Sequence, residues 1–426
     1  MSAQTSTTLN FANVSEAMKI HYKSLRVKEM VYKNNPLLAL LPKYESFGGQ
    51  NMPVPILYGN PQRAGAVFGD AQEITSTSQL EQFVISRVKD YSFASVDAET
   101  IKASQGKTDA FLRYLTMEID GAIHTLKRRL AFDIYGDGSG QIGTVGAASS
   151  ATATLKTTSD ITNFEVGMWI SIWAADGTTA RSNASGAFAT SHTNNTYKVL
   201  EVDRDAGTVV FDRAVTSMAD TDKLYPYGNI ISTANPNTSG AVKVDGLAAW
   251  IPSNRATGGS DPLGSAFNGV TRKVDPTRLG GIYYDGSSMP IEEALISAAG
   301  RLAREGGTPD VCMVDYDTWV SLEKALGSKV VYTEAKARDV DLGFHGLAVQ
   351  GPAGVIKVIP DRNCQANTAW MLQLDTWSMN SLGSCPQILD LDNNRMLRET
   401  SADAYEVRIG YYANMACNAP GWNAQV

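Results

Sequence analysis

The sequence predicts an α+β protein that combines one long helix, one long extended hairpin and a separate α/β region. Apolar residues recur three or four positions apart over 109–135 and predict the long helix. Segments rich in β-branched and aromatic residues at 50–60 and 81–104 flank a polar, glycine-rich connection and predict the hairpin. From about residue 244 onwards, helix patterns alternate with short apolar runs, which is typical of an α/β arrangement.

Two segments precede the hairpin near the N-terminus. Ser15 is an N-cap candidate for a first helix, and Pro36 and Pro42 bound a short apolar run after it. Pro53 and Pro55 lie within the first hairpin strand and suit an exposed edge, because proline has no N–H for a neighbouring strand. The hairpin carries too little apolar material to form a core by itself, so we expect a neighbouring chain to hold it.

The long helix presents one apolar stripe and ends near a basic run. The stripe consists of Leu112, Leu115, Ile119, Ala122, Leu126 and Leu130. Lys127, Arg128 and Arg129 lie near the C-terminal end, where cations interact favourably with the helix dipole. A solvated helix end is therefore the simpler interpretation of these charges than a nucleic-acid site.

Gly138, Gly140 and Gly143 have the G-x-G-x-x-G spacing of a dinucleotide-binding loop. That loop needs a strand before the glycines and a helix after them, so that the helix N-terminus faces the phosphates. Here a helix precedes the glycines and a Thr/Ala/Ser-rich stretch leading into strands follows them. The glycines therefore indicate a helix C-cap and a turn.

Residues 144–235 differ in composition from both flanks. They are poor in lysine and rich in Thr, Ala, Ser, Asn and Gly, and they contain strand patterns at 168–180, 195–215 and 222–231. We therefore predict a small all-β domain inserted after the long helix.

Composition and motifs argue against enzymatic chemistry. The net charge of −7 and the pI near 5.3 do not suit a protein that coats nucleic acid with a basic face. The four histidines are scattered, and no zinc-protease, serine-hydrolase or P-loop motif occurs. The sequence thus predicts a protein that is not an enzyme, with no catalytic, cofactor-binding or metal-binding residues. It also shows no secretory signal and no run of 18 apolar residues that could span a membrane.

Two weaker candidates for chemistry also fail. Asp390, Asp392 and Asn394 have calcium-loop spacing, but Arg395 stands where the loop needs glycine and Ser401 where it needs glutamate. The four cysteines, which include Cys364, form no C-x-x-C pair, so we expect free and mostly buried thiols.

Five segments in a fixed order resemble the major capsid proteins of tailed bacteriophages, which have the HK97-like fold. They are IYGDGSGQIG (134–143), VDGLAAWIPSN (244–254), EEALISAAGRLAREGGTPDVCMVDYDTWVSLEKAL (292–326), HGLAVQGPAGVIKVIPDRNCQANTAWMLQLDTW (345–377) and YEVRIGYYANMACNAPGWNAQV (405–426). Each segment alone is a weak signal, whereas their order is specific. The resemblance covers nearly the whole chain, and residues 144–235 depart from it.

The resemblance implies a division of the chain into six parts. They are an N-terminal arm (1–43), the extended hairpin with the start of the peripheral domain (44–104), the spine helix (105–143), the inserted β domain (144–235), the axial domain (236–385) and a C-terminal strand that returns to the peripheral domain (386–426).

The resemblance also implies a function that depends on surfaces. The chain would self-assemble as hexamers and pentamers into an icosahedral shell around double-stranded DNA, which it would contact non-specifically. The shell would be part of a virion that is assembled in the host cytoplasm, and no membrane would be involved. Scaffold, portal and decoration proteins are the other expected partners. The chain begins close to its arm, so we expect a separate scaffold protein.

The hairpin tip is the expected contact between subunits, and Gln62, Arg63 and Phe68 are its candidate residues. Some relatives join a hairpin lysine covalently to an asparagine of another subunit. Residues 45–88 contain no lysine, so we expect subunits to be held by non-covalent contacts.

Two alternatives stay open at this point. An encapsulin, a bacterial nanocompartment shell of the same fold, would enclose cargo enzymes. A secreted β-rich adhesin or glycan-binding protein would account for the Thr/Asn-rich segment, although the long α/β remainder argues against it.

Overall fold

The computed structural model of the chain describes residues 35–99, 112–177, 179–181, 196–227, 243–253, 263–264, 266–326, 332–337, 340–390, 395–399 and 403–426. The helix predicted to begin at Ser15 lies outside these residues, as do Asp392 and Asn394. The described helices are α1 (Pro36–Leu40), α2 (Phe68–Glu73), α3 (Leu112–Asp133), α4 (Leu247–Trp250), α5 (Pro276–Gly280), α6 (Ile291–Arg304) and α7 (Tyr316–Leu326).

The described strands form two large sheets, a barrel and two small hairpins. They are β1 (Lys43–Tyr44), β2 (Asn51–Gly59), β3 (Gln79–Ser86), β4 (Val88–Asp97), β5 (Gly143–Ser149), β6 (Thr152–Leu155), β7 (Trp169–Trp173), β8 (Tyr197–Asp203), β9 (Thr208–Phe211), β10 (Lys223–Pro226), β11 (Ala266–Phe267), β12 (Val270–Thr271), β13 (Ile282–Tyr283), β14 (Val311–Val314), β15 (Tyr332–Ala337), β16 (Val340–Gly351), β17 (Gly354–Pro360), β18 (Ala369–Leu372), β19 (Trp377–Ser381), β20 (Gln387–Ile388), β21 (Leu397–Arg398), β22 (Ala404–Cys417) and β23 (Ala424–Gln425).

The first sheet has six strands and packs against the long helix α3. Its centre is β22, which pairs antiparallel with β4 along ten residues and also pairs with β19, β20 and β21, while β1 adds to β19. Leu126 and Leu130 of α3 are fully buried in the core that this sheet shares, and Ile119 and Ala122 are partly buried against it. The predicted apolar stripe thus faces the sheet at every position whose side chain is described.

The second sheet has seven strands in the order β13-β23-β18-β14-β17-β16-β15. Helix α6 covers it with one apolar face that includes Leu295 and Leu302, and these side chains share a buried core with β14 and β17. Two acidic residues, Glu292 and Glu293, lie in the first turn of α6, where they interact favourably with the helix dipole, and Gly306 follows the helix with a positive φ of 89°.

Residues 143–226 contain a closed six-stranded barrel in the order β10-β5-β6-β9-β8-β7. The barrel has its own buried core, which includes Val145, Phe164, Ile172, Tyr197 and Phe211. The predicted strand patterns coincide with β7, β8, β9 and β10. The turn between β8 and β9 contains Gly207 with a φ of 67°.

The extended hairpin consists of β2 and β3, paired antiparallel from Asn51 with Ser86 to Gly59 with Gln79. Its strands pair only with each other in the described part of the chain, so Pro53 and Pro55 do lie in an edge strand. The sequence predicts one continuous strand over 81–104, whereas the structure interrupts it at Arg87. Residues before this point belong to the hairpin and residues after it to the six-stranded sheet, because the two segments have different strand partners.

Two strands depart from the predicted division at residues 385 and 386. Trp377–Ser381 lies in the six-stranded sheet beside β22, although the predicted axial domain extends to 385. Ala424–Gln425 leaves that sheet and pairs with β18 and β13 of the seven-stranded sheet. The short 3₁₀ turn Pro420–Trp422 separates β22 from β23 and allows this change of sheet.

Replacing Leu126 by alanine tests the packing of α3 on the six-stranded sheet. Leu126→Ala removes a fully buried side chain, and we expect it to lower the free energy of unfolding by roughly 2–5 kcal/mol. Lys127→Ala changes the exposed neighbour on the same helix and should alter it by less than about 0.5 kcal/mol. Denaturant unfolding measures both, and equal effects of the two variants would show that the helix is not packed in this way.

Candidate assembly surfaces

The base of the hairpin is fixed by an aromatic cluster. Phe83 of β3 meets Trp250 and Phe267 edge-on, with ring centroids 5.0 Å and 6.2 Å away, and Trp250 meets Phe267 at 5.1 Å. The Arg272 guanidinium lies 4.2 Å above the Phe267 ring and donates to the backbone carbonyls of Ala249 and Trp250 at 2.8 Å and 2.9 Å. Edge-on aromatic pairs and a buried cation above a ring each add stability beyond the buried area. These contacts therefore hold the base of the hairpin firmly against the core.

The point where the chain passes from the hairpin into the sheet is also fixed. Arg87 donates to the carbonyl of buried Phe47 at 2.5 Å and lies over its ring. Asn414 of β22 donates to the carbonyl of Ser86 at 2.8 Å and exchanges hydrogen bonds with Asp245. Side chains from β22 and from the segment before α4 thus hold the last hairpin residue.

The C-terminal end of α3 is closed by residues that follow the barrel. Leu247 donates its N–H to the carbonyl of Ile134 at 2.7 Å, and Ala248 donates to that of Tyr135 at 3.3 Å. Gly246 lies so close that a Cβ atom there would be 2.4 Å from the carbonyl oxygens of Asp133 and Ile134. Carbonyls at a helix end need such donors, so this contact replaces the missing next turn.

The glycine fingerprint lies immediately beyond this contact. Gly138 and Gly140 have φ angles of 83° and 74°, and Gly143 begins β5. These values confirm the interpretation of the glycines as a turn. The carbonyl of Gly138 accepts a hydrogen bond from the N–H of Lys243 at 3.0 Å.

A buried carboxylate connects α1 to the end of α3. Asp361 accepts hydrogen bonds from the Tyr135 hydroxyl at 2.9 Å and from the Asn363 N–H at 2.9 Å, and a longer one from the Leu37 N–H at 3.5 Å. Burial raises the pKa of Asp361, and these donors counteract the increase. The residue therefore ties three separate segments to one point.

The outer part of the hairpin, in contrast, is uncovered. Phe68 exposes 83% of its surface. Four other large apolar side chains in this part of the hairpin are also exposed: Leu57, Val67, Ile74 and Leu80. Every residue from 61 to 70 is exposed. Several large exposed apolar side chains on one segment are typical of an interaction site.

The predicted contact residues Gln62, Arg63 and Phe68 all lie in this exposed connection. Gln62 donates its N–H to the Ser76 hydroxyl at 3.1 Å and so links the two sides of the tip. Phe68 begins α2, a short helix that the sequence analysis did not predict. The structure therefore places the three residues on one tip, and it assigns them no contact with one another.

A second exposed aromatic surface lies on the outer face of the six-stranded sheet. Tyr91 and Phe93 of β4 point away from α3, and the rings of Tyr91 and Tyr412 meet edge-on at 6.1 Å. Sequence reasoning missed this surface. Tyr91 and Phe93 are two residues apart and therefore lie on the same face of a strand, and this spacing was the signal that could have found the surface.

The described residues offer little for catalysis. They contain no group of three His, Cys, Asp or Glu side chains that could hold a metal ion. Cys312, Cys364 and Cys417 are buried free thiols and Cys385 is a partly buried one. Burial raises the pKa of Cys312 and Cys417 to about 12, which keeps both thiols protonated and unreactive. No helix in the described ranges is long and apolar enough to cross a membrane.

One protein-family model matches part of the chain. Residues 228–394, less than half of it, match the family model of the SU10 major capsid protein. Over these residues the chain is similar to a phage major capsid protein. No curated protein matches it.

Solved structures agree with this fold. The capsid of cyanophage A-1(L) is 12% identical to this chain, with 94% of each chain covered and a TM-score of 0.53. The capsid of a native GTA particle is 7% identical, covers 98% of both chains and has a TM-score of 0.47. The holo-SrpI encapsulin of Synechococcus elongatus is 7% identical, covers 98% of this chain and 95% of its own, and has a TM-score of 0.45. The last two likenesses are too weak to support a conclusion. The first confirms the predicted α+β class and HK97-like fold.

A pair of glycine substitutions tests the closure of α3. Gly246→Ala forces a Cβ atom into the carbonyls of Asp133 and Ile134, and we expect a loss of roughly 3 kcal/mol or more in the free energy of unfolding. Gly121→Ala lies within α3 and meets open space, so it should gain about 0.5–1 kcal/mol. Thermal or denaturant unfolding measures both, and a neutral Gly246→Ala would contradict the close approach.

Proposed function

We propose that this chain is a phage major capsid protein and that it assembles as hexamers and pentamers into a closed icosahedral shell around double-stranded DNA. The observation that carries the proposal is the contrast within the hairpin between a base fixed by Phe83 and Trp250 and a tip whose Phe68 is exposed. A rigid arm with an uncovered apolar end suits a contact with a second copy of the chain. Because the arm and the surface that receives it differ, such contacts form rings around symmetry axes.

Energy estimates favour closed rings over pairs of subunits. Complete burial of each large apolar side chain at the tip contributes about 1.5–3 kcal/mol. Five such side chains supply an amount similar to the 4–15 kcal/mol that association costs in lost freedom of motion. One arm contact alone is therefore weak. In a ring each subunit gives one arm and receives another, so assembly is cooperative.

We propose Gln62, Arg63 and Phe68 as residues of this contact. The hairpin from 51 to 86 carries one positive residue, Arg63, against Asp70, Glu73 and Glu81, so a neutral or basic receiving surface fits it best. The absence of lysine from residues 45–88 supports the proposal that subunits are joined by non-covalent contacts. A net charge of −7 indicates that DNA is retained mainly by enclosure.

The wider setting is also a proposal. The protein would be a virion component assembled in the host cytoplasm, with no catalytic or cofactor-dependent activity. Scaffold, portal and decoration proteins would be its further partners. Particle contents distinguish this proposal from an encapsulin, since a nanocompartment would hold cargo protein instead of DNA.

We further propose that residues 144–235 are a β domain inserted between the spine helix and the axial domain. The barrel has a core of its own. The chain on its two sides is also close together, because Lys243 donates its N–H to the carbonyl of Gly138. A domain inserted where the two flanking segments lie close together does not interrupt the packing of the rest of the chain. The rest of the predicted division is proposed with β19 moved to the peripheral sheet and β23 to the axial sheet.

Replacing the proposed tip residues should block assembly without unfolding the subunit. Burial of Phe68 alone is worth about 1.5–3 kcal/mol. We therefore expect Gln62→Ala/Arg63→Ala/Phe68→Ala to raise the subunit concentration needed for shells at least about tenfold. Sedimentation velocity and negative-stain microscopy measure this. Val166→Ala is the control, because it removes an exposed apolar side chain from the barrel. Shells that form from the triple variant at the wild-type concentration would contradict the proposal.

The inserted domain can be tested by excision. A fragment of residues 144–235 should unfold cooperatively on heating, and the chain that lacks it should still give soluble, helical subunits. Circular dichroism follows both. A fragment without a cooperative transition would refute the independent domain while leaving the assembly proposal intact.

A further inference from the structure

Three ionisable side chains meet in the interior where α3, β4 and the segment before α4 come together. Lys243 is 3% exposed, Asp90 is 9% exposed and Asp133 is 6% exposed. The Nζ atom of Lys243 lies 2.5 Å from Oδ2 of Asp90. Lys and Asp are almost never this deeply buried unless they are paired. Here the ammonium group of Lys243 is paired with Asp90, and Asp133 interacts electrostatically with both.

The second carboxylate leaves the cluster incompletely satisfied. Oδ2 of Asp133 is buried and has no hydrogen-bond donor among the described residues. The buried hydroxyl of Tyr411 also has no hydrogen-bond partner among them. Burial raises the pKa of Asp133 to about 6, Lys243 lowers it and Asp90 raises it further, so all three groups interact. A buried ion pair with an extra carboxylate is costly in free energy, because its charges have lost their water.

We propose that Lys243 and Asp90 condense to an amide within one subunit, with Asp133 as the proton carrier. The lysine ammonium gives a proton to the Asp133 carboxylate, and the free amine attacks Cγ of Asp90. Cγ is one covalent bond behind the oxygen that Nζ already contacts, so the reacting groups are held in place. The new C–N bond forms, the C–O bond breaks and the oxygen leaves as water with protons from the amine and from Asp133. No oxidant or cofactor is needed.

The surroundings favour this reaction in two ways. Exclusion of water destabilises the charged reactants relative to the neutral amide, and it also opposes hydrolysis of the amide. The positions are fixed by backbone: Asp90 pairs with Tyr411 in the sheet, Lys243 is bound through its N–H to Gly138, and Asp133 is the last residue of α3. The product would tie the start of β4 to the segment that precedes α4 and closes the end of α3.

The test is the mass of the denatured full-length chain. The wild type should be lighter than its sequence by one water molecule, and digestion should yield one peptide that joins the segments around residues 90 and 243. Lys243→Arg cannot form the bond and should have its full sequence mass. Lys127→Arg, at an exposed lysine, should lose water as the wild type does. Asp133→Asn should form the bond about 10²-fold more slowly, because it lacks the proton carrier. Asp120→Asn changes an exposed aspartate of α3 and should form the bond at the wild-type rate.

A wild-type chain with its full sequence mass would overturn the proposal, whatever the variants do. Water loss that digestion assigns to the Asp245–Gly246 peptide bond, and that persists in Lys243→Arg, would overturn it as well, since it indicates ring closure of the aspartate on its own backbone. Because the bond lies within one subunit, its absence would leave the proposed non-covalent assembly unaffected.

Discussion

The last turn of α3 needs hydrogen-bond donors for its carbonyl groups, and the chain supplies them from Leu247 and Ala248. Only glycine at 246 permits this approach, because a side chain would strike the carbonyls of Asp133 and Ile134. The contact sets the position of α4, and with it that of Trp250. Trp250 in turn packs against Phe83 at the base of the hairpin. The direction of the arm therefore depends on how one helix ends.

This arrangement separates a stiff part of the subunit from an adaptable one. The hairpin base is buried and held by Arg87, Asn414 and the aromatic cluster, whereas its tip has few internal contacts. Hydrogen bonds such as that from Gln62 to Ser76 link the two sides of the tip, but they leave its large apolar side chains exposed. In the proposed contact, a fixed origin would limit the entropy lost on docking, and an uncovered end would supply the driving force.

Local patterns predicted much of the fold. The period of Leu126 and Leu130, the prolines of β2 and the turn at Gly138 each depend on near neighbours in the chain, so sequence alone could predict them. The interruption at Arg87, the place of β19 beside β22 and the change of sheet before β23 depend on pairing between distant segments. The cluster of Lys243, Asp90 and Asp133 likewise comes from three separate segments of the chain, so no local sequence motif predicts it. The contact residues at the tip stay a prediction, as does the independence of the inserted domain.

Amide hydrogen exchange, compared between dissociated subunits and assembled shells, tests the central claim most directly. The account predicts that the backbone amides of residues 57–80 exchange rapidly in the subunit and become strongly protected in the shell, while those around Phe83 and Trp250 are protected in both states. Rapid exchange at 57–80 in intact shells would contradict it, because the arm would then not contact a neighbouring subunit.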